Sequence, residues 1–451
     1  MSQKNGRLDL PLLLAYAAPA IVLSALNMAL VVYIPPFYAT EVGLSLSAVG
    51  IAFFVARAWD ALLDPVIGAL GDRTHGRFGR RKPWIAVGTP ILVAATWALF
   101  MPGPGVGMVY LIVTIVAYYA AWTLVQIPYL SWGAELSPDY RERNRIVGLR
   151  EAATFVGVLL ATGLPILIFS GSEPSIGSIL MVFLVITVVV LPVSVGAALW
   201  RVPSGHTLST SVAPSLVETI SILRRNKPYL LVVSATFLLW LGLHIYNAAV
   251  LMVIEFAVGL PKSSFLVLVF VQFMVGTLAT PGIVRLANGI GKHRALAMAS
   301  VLVALSLPLL MAVPSGNQWY AMAVFAVLGV TISPIWILPT ALIADTADYA
   351  VWKGGGDDVG LYMAIYNFFA KCALAFSVGI ALPLLEYFGF DPANQTVQGT
   401  ITLTLVGLVL PGVPLVMAAL LLWRYPITEH RHSVIKRRIQ ARSKKPVEYS
   451  V

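Results

Sequence analysis

A chain of 451 residues that is 59% hydrophobic and only 11% charged is not built like a water-soluble domain, where about a quarter of residues carry charge. Its formal charge of +10 does not point to nucleic acid, because the cations gather at the ends of apolar runs. One cysteine, Cys372, excludes an intrachain disulfide.

Apolar runs long enough to cross a bilayer recur along the whole chain. Twelve spans are expected, at about 10–34, 46–70, 84–101, 106–136, 146–170, 177–200, 228–256, 264–288, 294–313, 318–348, 359–388 and 400–424. The first run is too long for a cleaved signal peptide and continues as a span. Pro35-Pro36, Pro65, Pro128, Pro165, Pro281, Pro334 and Pro339 are expected to kink or end their helices.

The second span is the most informative. From Val49 to Asp72 it reads VGIAFFVARAWDALLDPVIGALGD. An aspartate at a bilayer centre costs about 2.5–3.5 kcal/mol, so Asp60 and Asp64 must face protein or a water-filled path. With Arg57 they share one helical face. A carboxylate pair one turn apart can hold a monovalent cation or a proton. A structural ion pair with Arg57 is the plainer reading, and the two are compatible.

Next comes a basic loop, Asp72–Pro83, with five cations that include Arg80 and Arg81. Asp72 is expected to pair with arginines of its own loop and latch that side of the protein. Span four carries Tyr118, Tyr119, Trp122, Thr123, Gln126 and Tyr129, ends at Glu135, and is followed by Arg141, Arg143 and Arg145. A polar stretch at 201–227 then divides the spans six and six. The second half echoes the first, with a short basic loop after span eight (GIVRLANGIGKHRA) and acids, Asp345 and Asp348, ending span ten.

This pattern predicts an all-α membrane protein of two six-helix bundles in parallel repeat, the major facilitator fold. The bundles are 1–200 and 228–424, joined by a cytoplasmic linker at 201–227 and followed by a basic tail at 425–451. Acids and bases at matching helix ends predict a gate of exchangeable salt bridges drawn from Asp72, Arg80, Arg81, Arg141, Asp345 and Asp348. Spacing alone assigns no pairing. With both termini in the cytoplasm, 26 of the 30 lysines and arginines fall on the cytoplasmic side, as the positive-inside rule requires. Such a protein sits as a multi-pass monomer in a bacterial inner membrane, its basic tail against anionic lipid.

Lys371 stands mid-span in YNFFAKCALAF. A membrane lysine needs a carboxylate or water, and Asp60 and Asp64 are its evident partners across the halves. Spans seven, ten and eleven add Trp240, His244, Tyr246, Asn247, Trp336, Tyr366 and Asn367. Aromatic faces with a few polar anchors suit a hydroxylated solute. No Walker loop, zinc-protease motif or nucleophile elbow is present. Transport without enzymatic activity or a cofactor, driven by an H+ or Na+ gradient, is the expectation.

The residues also resemble a known family, the glycoside–pentoside–hexuronide:cation symporters of the major facilitator superfamily. The resemblance rests on ARAWDALLDPVIGALGDRTHGRFGRRKPWIAVGTP (56–90), QIPYLSWGAEL (126–136), RERNRIVGLRE (141–151) and IADTADYAVW (343–352), followed by Lys371. It implies that Asp60, Asp64 and Thr123 bind the cation, that Lys371 couples, and that Arg150 and Trp336 contact sugar. Three departures stand out. Leu63 replaces a polar residue beside the second aspartate, which weighs against sodium. Ser24 and Gln126 stand where a galactoside carrier has aspartates. The loop after Lys353 reads GGGDDVG rather than pairing an arginine with an acid. A branch of the same family carries lysophospholipids and is the alternative to a sugar or glycoside.

Overall fold

The structure, a computed structural model, describes residues 8–74, 78–137, 140–169, 174–204, 226–353 and 359–427, with 431, 433–435 and 437–438. Twelve helices are long and apolar enough to cross a membrane. They are α1 (Leu10–Glu41), α2 (Leu46–Arg73), α3 (Lys82–Phe100), α4 (Met108–Glu135), α5 (Tyr140–Ile168), α6 (Ile176–Arg201), α7 (Lys227–Ala257), α8 (Lys262–Ile290), α9 (Lys292–Ala312), α10 (Gln318–Trp352), α11 (Val359–Tyr387) and α12 (Val397–Trp423).

Proline does not end these helices. Pro35 and Pro36 lie inside α1, which runs on to Glu41 through wide turns at Ala29–Tyr33 and Phe37–Glu41. A π turn relaxes the register where a ring would strike the preceding carbonyl. The chain takes this route because hydrocarbon leaves no water for a broken backbone bond. Pro128, Pro165, Pro281, Pro334 and Pro339 likewise sit inside continuous helices.

The packing repeats itself. In the first half α1 packs on α5 and α6, α4 on α2 and α3, and α3 on α6. In the second half α7 packs on α11 and α12, α10 on α8 and α9, and α9 on α12. Each contact in the first half recurs six helices later. Glycines let the backbones meet: a Cβ on Gly329 of α10 would fall 2.3 Å from the Gln272 carbonyl of α8, and one on Gly157 of α5 falls 2.1 Å from the Ile21 carbonyl of α1.

Two seams join the halves, α2 against α11 and α5 against α8. The end away from the chain termini is clasped. Glu386 of α11 accepts the Ser47 backbone N–H at the start of α2, at 2.6 Å. Phe54 of α2 meets Phe376 of α11 edge to face at 5.5 Å. Lys262 of α8 pairs with Glu41 of α1 at 3.7 Å and with Glu255 of α7 at 3.3 Å. Glu41 in turn accepts the first free N–H groups of α6, from Ile176 at 2.6 Å and Gly177 at 2.9 Å.

Gly50 makes the α2–α11 seam tight, because a Cβ there would lie 2.8 Å from Pro383 Cδ. Gly50→Val forces this contact apart. Overpacking of this kind costs about 1–3 kcal/mol, enough to move a two-state equilibrium roughly 5- to 150-fold. In a Ser47→Cys background, Gly50→Val is expected to speed labelling by an impermeant maleimide by at least fivefold, the lower end of that range. Unchanged labelling removes the clasp from this seam.

Candidate functional site

The site forms where α2, α4 and α11 meet at mid-membrane depth. On α2, Arg57, Asp60 and Asp64 occupy successive turns of one face. On α4, Tyr119, Thr123 and Gln126 do the same. Lys371 reaches in from α11 of the opposite half.

Thr123 Oγ1 lies 2.9 Å from Asp60 Oδ1 and 3.2 Å from Asp64 Oδ1. Its one proton serves a single carboxylate at a time. Lys371 Nζ stands 2.8 Å from Asp60 Oδ2 and also donates to Asp64 Oδ2. Arg57 Nη1 is 3.5 Å from the same Asp60 oxygen. Its guanidinium lies 4.2 Å above the Tyr119 ring, a cation–π contact. Two acids and two bases therefore balance. The Arg57 pair and the Lys371 bridge coexist, as the spacing allowed.

Access to the two carboxylates differs. The Asp60 side chain is 1% exposed and that of Asp64 22%. Asp64 lies one turn nearer the end that carries the termini. An ion arriving from that side meets Asp64 first and Asp60 last.

The expected substrate residues divide into two sets. Trp336 of α10 is exposed and packs edge-on against Trp240 of α7, with centroids 4.8 Å apart. Trp240 stacks on His244 at 5.6 Å and donates its Nε1–H to the Tyr366 hydroxyl at 3.1 Å. Asn367 is exposed beside Tyr366, and Gln126 is half-buried with its Oε1 unpartnered.

Ser24 and Arg150 are engaged otherwise. The Ser24 hydroxyl donates to the Ile21 carbonyl at 3.0 Å and packs on Gly157. Arg150 is ion-paired with Glu151 and sits against Tyr16 and Tyr129. Both belong here to the seam of α1, α4 and α5, not to a free binding face. Neighbouring groups took up their polar atoms, which single-residue chemistry does not reveal.

The salt-bridge gate takes a different form from the expected one. Arg80 and Arg81 converge on Glu135 Oε1 of α4, at 3.0 and 2.8 Å. Arg81 and Glu135 are buried. Lys292 at the start of α9 donates to both oxygens of Asp345 on α10, at 2.9 and 2.8 Å. These pairs lie inside each half and are related by the repeat. The cause is topological: the loop after α2 passes under α4, the neighbour of α2, and the loop after α8 passes under α10. Asp348 lies half-buried one turn beyond Asp345. The side chains of Asp72 and Arg141 fall outside the described residues. Glu135 had been visible in the sequence only as the acid ending span four.

A repeated twelve-helix bundle with a charged cluster buried at the contact of its halves is the major facilitator fold. The chain belongs to the MFS/sugar transport protein family, whose profile matches residues 15–429. It is therefore a multi-pass membrane transporter. It is 25% identical to the sodium-dependent lysophosphatidylcholine symporter 1 of Xenopus tropicalis, over 90% of this chain and 83% of that one. It is also 25% identical to the glucuronide carrier protein homolog of Escherichia coli (strain K12), over 90% of each. An isoprimeverose transporter of Lactiplantibacillus pentosus is 24% identical, over 79% of this chain and 76% of its own. Among solved structures the nucleoside transporter NupG superposes with a TM-score of 0.65 at 15% identity, covering 92% of this chain and 100% of that one. That likeness is one of fold.

Proposed function

We propose that this protein is a cation-coupled symporter of a sugar or glycoside, working by alternating access from a bacterial inner membrane with both termini in the cytoplasm. The observation that carries the reading is the Lys371 ammonium, held from one half against both Asp60 and Asp64 of the other. It occupies the oxygens a coupling ion needs. A cation bound to Asp60, Asp64 and Thr123 would stand about 4 Å from it, where two like charges repel by about 4 kcal/mol at an effective dielectric of roughly 20. Ion binding therefore releases Lys371, and with it the tie between α2 and α11. The protein acts as a carrier, not an enzyme, and needs no cofactor beyond the ion. It works as a monomer in the bilayer.

The sugar reading is supported by the Trp240–Trp336 wall and by the names of the glucuronide and isoprimeverose relatives. The lysophospholipid reading is supported by the Xenopus relative. Uptake of isoprimeverose, a glucuronide and lysophosphatidylcholine into vesicles separates them. Accumulation of the lipid without either sugar would replace the present reading.

The coupling ion is proposed to be a proton. Sodium prefers several oxygen ligands, and Leu63 contributes none beside Asp64. In vesicles bearing a pH gradient alone, the substrate is expected to accumulate severalfold above the equilibrated level. A sodium gradient at equal pH is expected to leave it unconcentrated. The reverse pattern assigns the site to sodium.

A further inference from the structure

Two buried polar atoms face the contact between the halves without a partner. One is Arg57 Nε, on a side chain 7% exposed; the other is His244 Nδ1. His244 lies within electrostatic reach of the Arg57 guanidinium. Its ring is half-buried, so one edge remains open to a ligand. Gln126 Oε1 and the Tyr119 hydroxyl, on the α4 face beside Arg57, are likewise buried and unpartnered.

Orphaned buried groups are rare and each weakens the fold by about 1–3 kcal/mol. Four around one contact mark a place where a partner is expected. Their chemistry is mixed. Arg57 Nε–H only donates, Gln126 Oε1 only accepts, a neutral imidazole has one accepting nitrogen, and a phenol does both. A carboxylate or phosphodiester accepts only and would leave the Gln126 and His244 acceptors empty. A phosphocholine head has no donor at all. A sugar hydroxyl accepts from one side and donates to the other.

We infer that Arg57 Nε and His244 Nδ1 form a hydroxyl-reading pair for an uncharged sugar, placed between the two halves and backed by the Trp240–Trp336 wall. The inference deepens the symporter reading and rests on it. One hydroxyl accepts from Arg57 on α2 and donates to His244 on α7. The pair closes only when a hydroxyl lies between them, so sugar draws the halves together where the ion loosens them. Trp240 fixes the imidazole plane by stacking, and Tyr366 fixes Trp240. Arg57 also touches Asp60, which puts the sugar hydroxyl one residue from the ion-binding carboxylate.

The test uses purified full-length protein and thermal stabilisation, since a ligand that binds the native state raises its melting temperature. The probes are isoprimeverose, methyl xyloside, melibiose, a glucuronide and lysophosphatidylcholine. At least one uncharged sugar is expected to stabilise the wild type. His244→Phe keeps the stack on Trp240 and the unliganded melting temperature. It weakens that sugar about tenfold, the size of one buried hydrogen bond. His244→Asn, which restores an acceptor, recovers most of the loss. Monodeoxy analogues of the sugar identify the hydroxyl: the analogue lacking it binds wild type and His244→Phe alike. Stabilisation by none of the uncharged sugars removes the sugar reading and the pair together. A sugar that binds wild type and His244→Phe equally removes the pair and leaves the symporter reading standing. An unliganded His244→Phe that melts well below the wild type makes His244 a packing residue and also removes the pair.

Discussion

Asp60→Asn is expected to abolish gradient-driven accumulation while the protein still inserts and folds as a carrier. Asp60 is fully buried and lies between two bases, Lys371 at 2.8 Å and Arg57 at 3.5 Å. Asparagine keeps the shape and removes the charge. The cluster then holds one acid against two bases and carries a net positive charge before any ion arrives. One carboxylate contact at about 4 Å is worth about 4 kcal/mol at an effective dielectric of roughly 20. That corresponds to a loss of ion affinity of about a thousandfold. Asp64→Asn follows the same logic with a smaller loss, because its side chain is 22% exposed and solvent screens it. Uptake into vesicles under an imposed ion gradient measures both. Accumulation by either variant to the wild-type ratio removes the carboxylate pair from the coupling site.

Lys371→Ala acts in the opposite electrostatic direction. It leaves Asp60 and Asp64 with Arg57 as their remaining close base, so the site gains a net negative charge and attracts cations more strongly. The direct Coulomb gain is cut by solvent, since the Lys371 side chain is 26% exposed. An ion affinity about tenfold tighter is the expected result, equal to about 1.4 kcal/mol. The tie between α2 and α11 is lost at the same time, so the empty carrier reorients without waiting for an ion. Substrate exchange at equilibrium then persists, while the accumulation ratio under a gradient falls to about one, the value for uncoupled equilibration. Measured together, the two readouts separate loss of coupling from loss of folding. An unchanged accumulation ratio shows that Lys371 is a structural counter-ion only.

Much of this site was legible because its logic is local or costly. Arg57, Asp60 and Asp64 share a face by helical spacing alone, and their depth in hydrocarbon excludes a lipid-facing role. Lys371 was matched to them because a mid-span ammonium has few partners to choose from. Thr123 came from the family resemblance, and the structure puts its hydroxyl on both carboxylates. The twelve spans followed from length and apolarity. Glu41 as the end of α1 did not, since Pro35-Pro36 reads as a stop until the π turns around it are seen.

What the amino-acid sequence determined by itself is therefore the number of helices, the two-fold repeat and the set of charges that must be buried. Only the tertiary structure decided which of them meet. Glu135 receives Arg80 and Arg81, Lys292 takes Asp345, and Ser24 and Arg150 turn toward helix packing rather than a free binding face. The physical reason lies in the membrane. A helix apolar on every side shows no stripe that identifies its inner face, and lipid tails provide no hydrophobic force to orient it. Its rotation is set instead by close backbone approaches such as Gly276 to Gly329 and Gly50 to Pro383. Those contacts join residues far apart in the chain, and their partners become known only when the helices are in place.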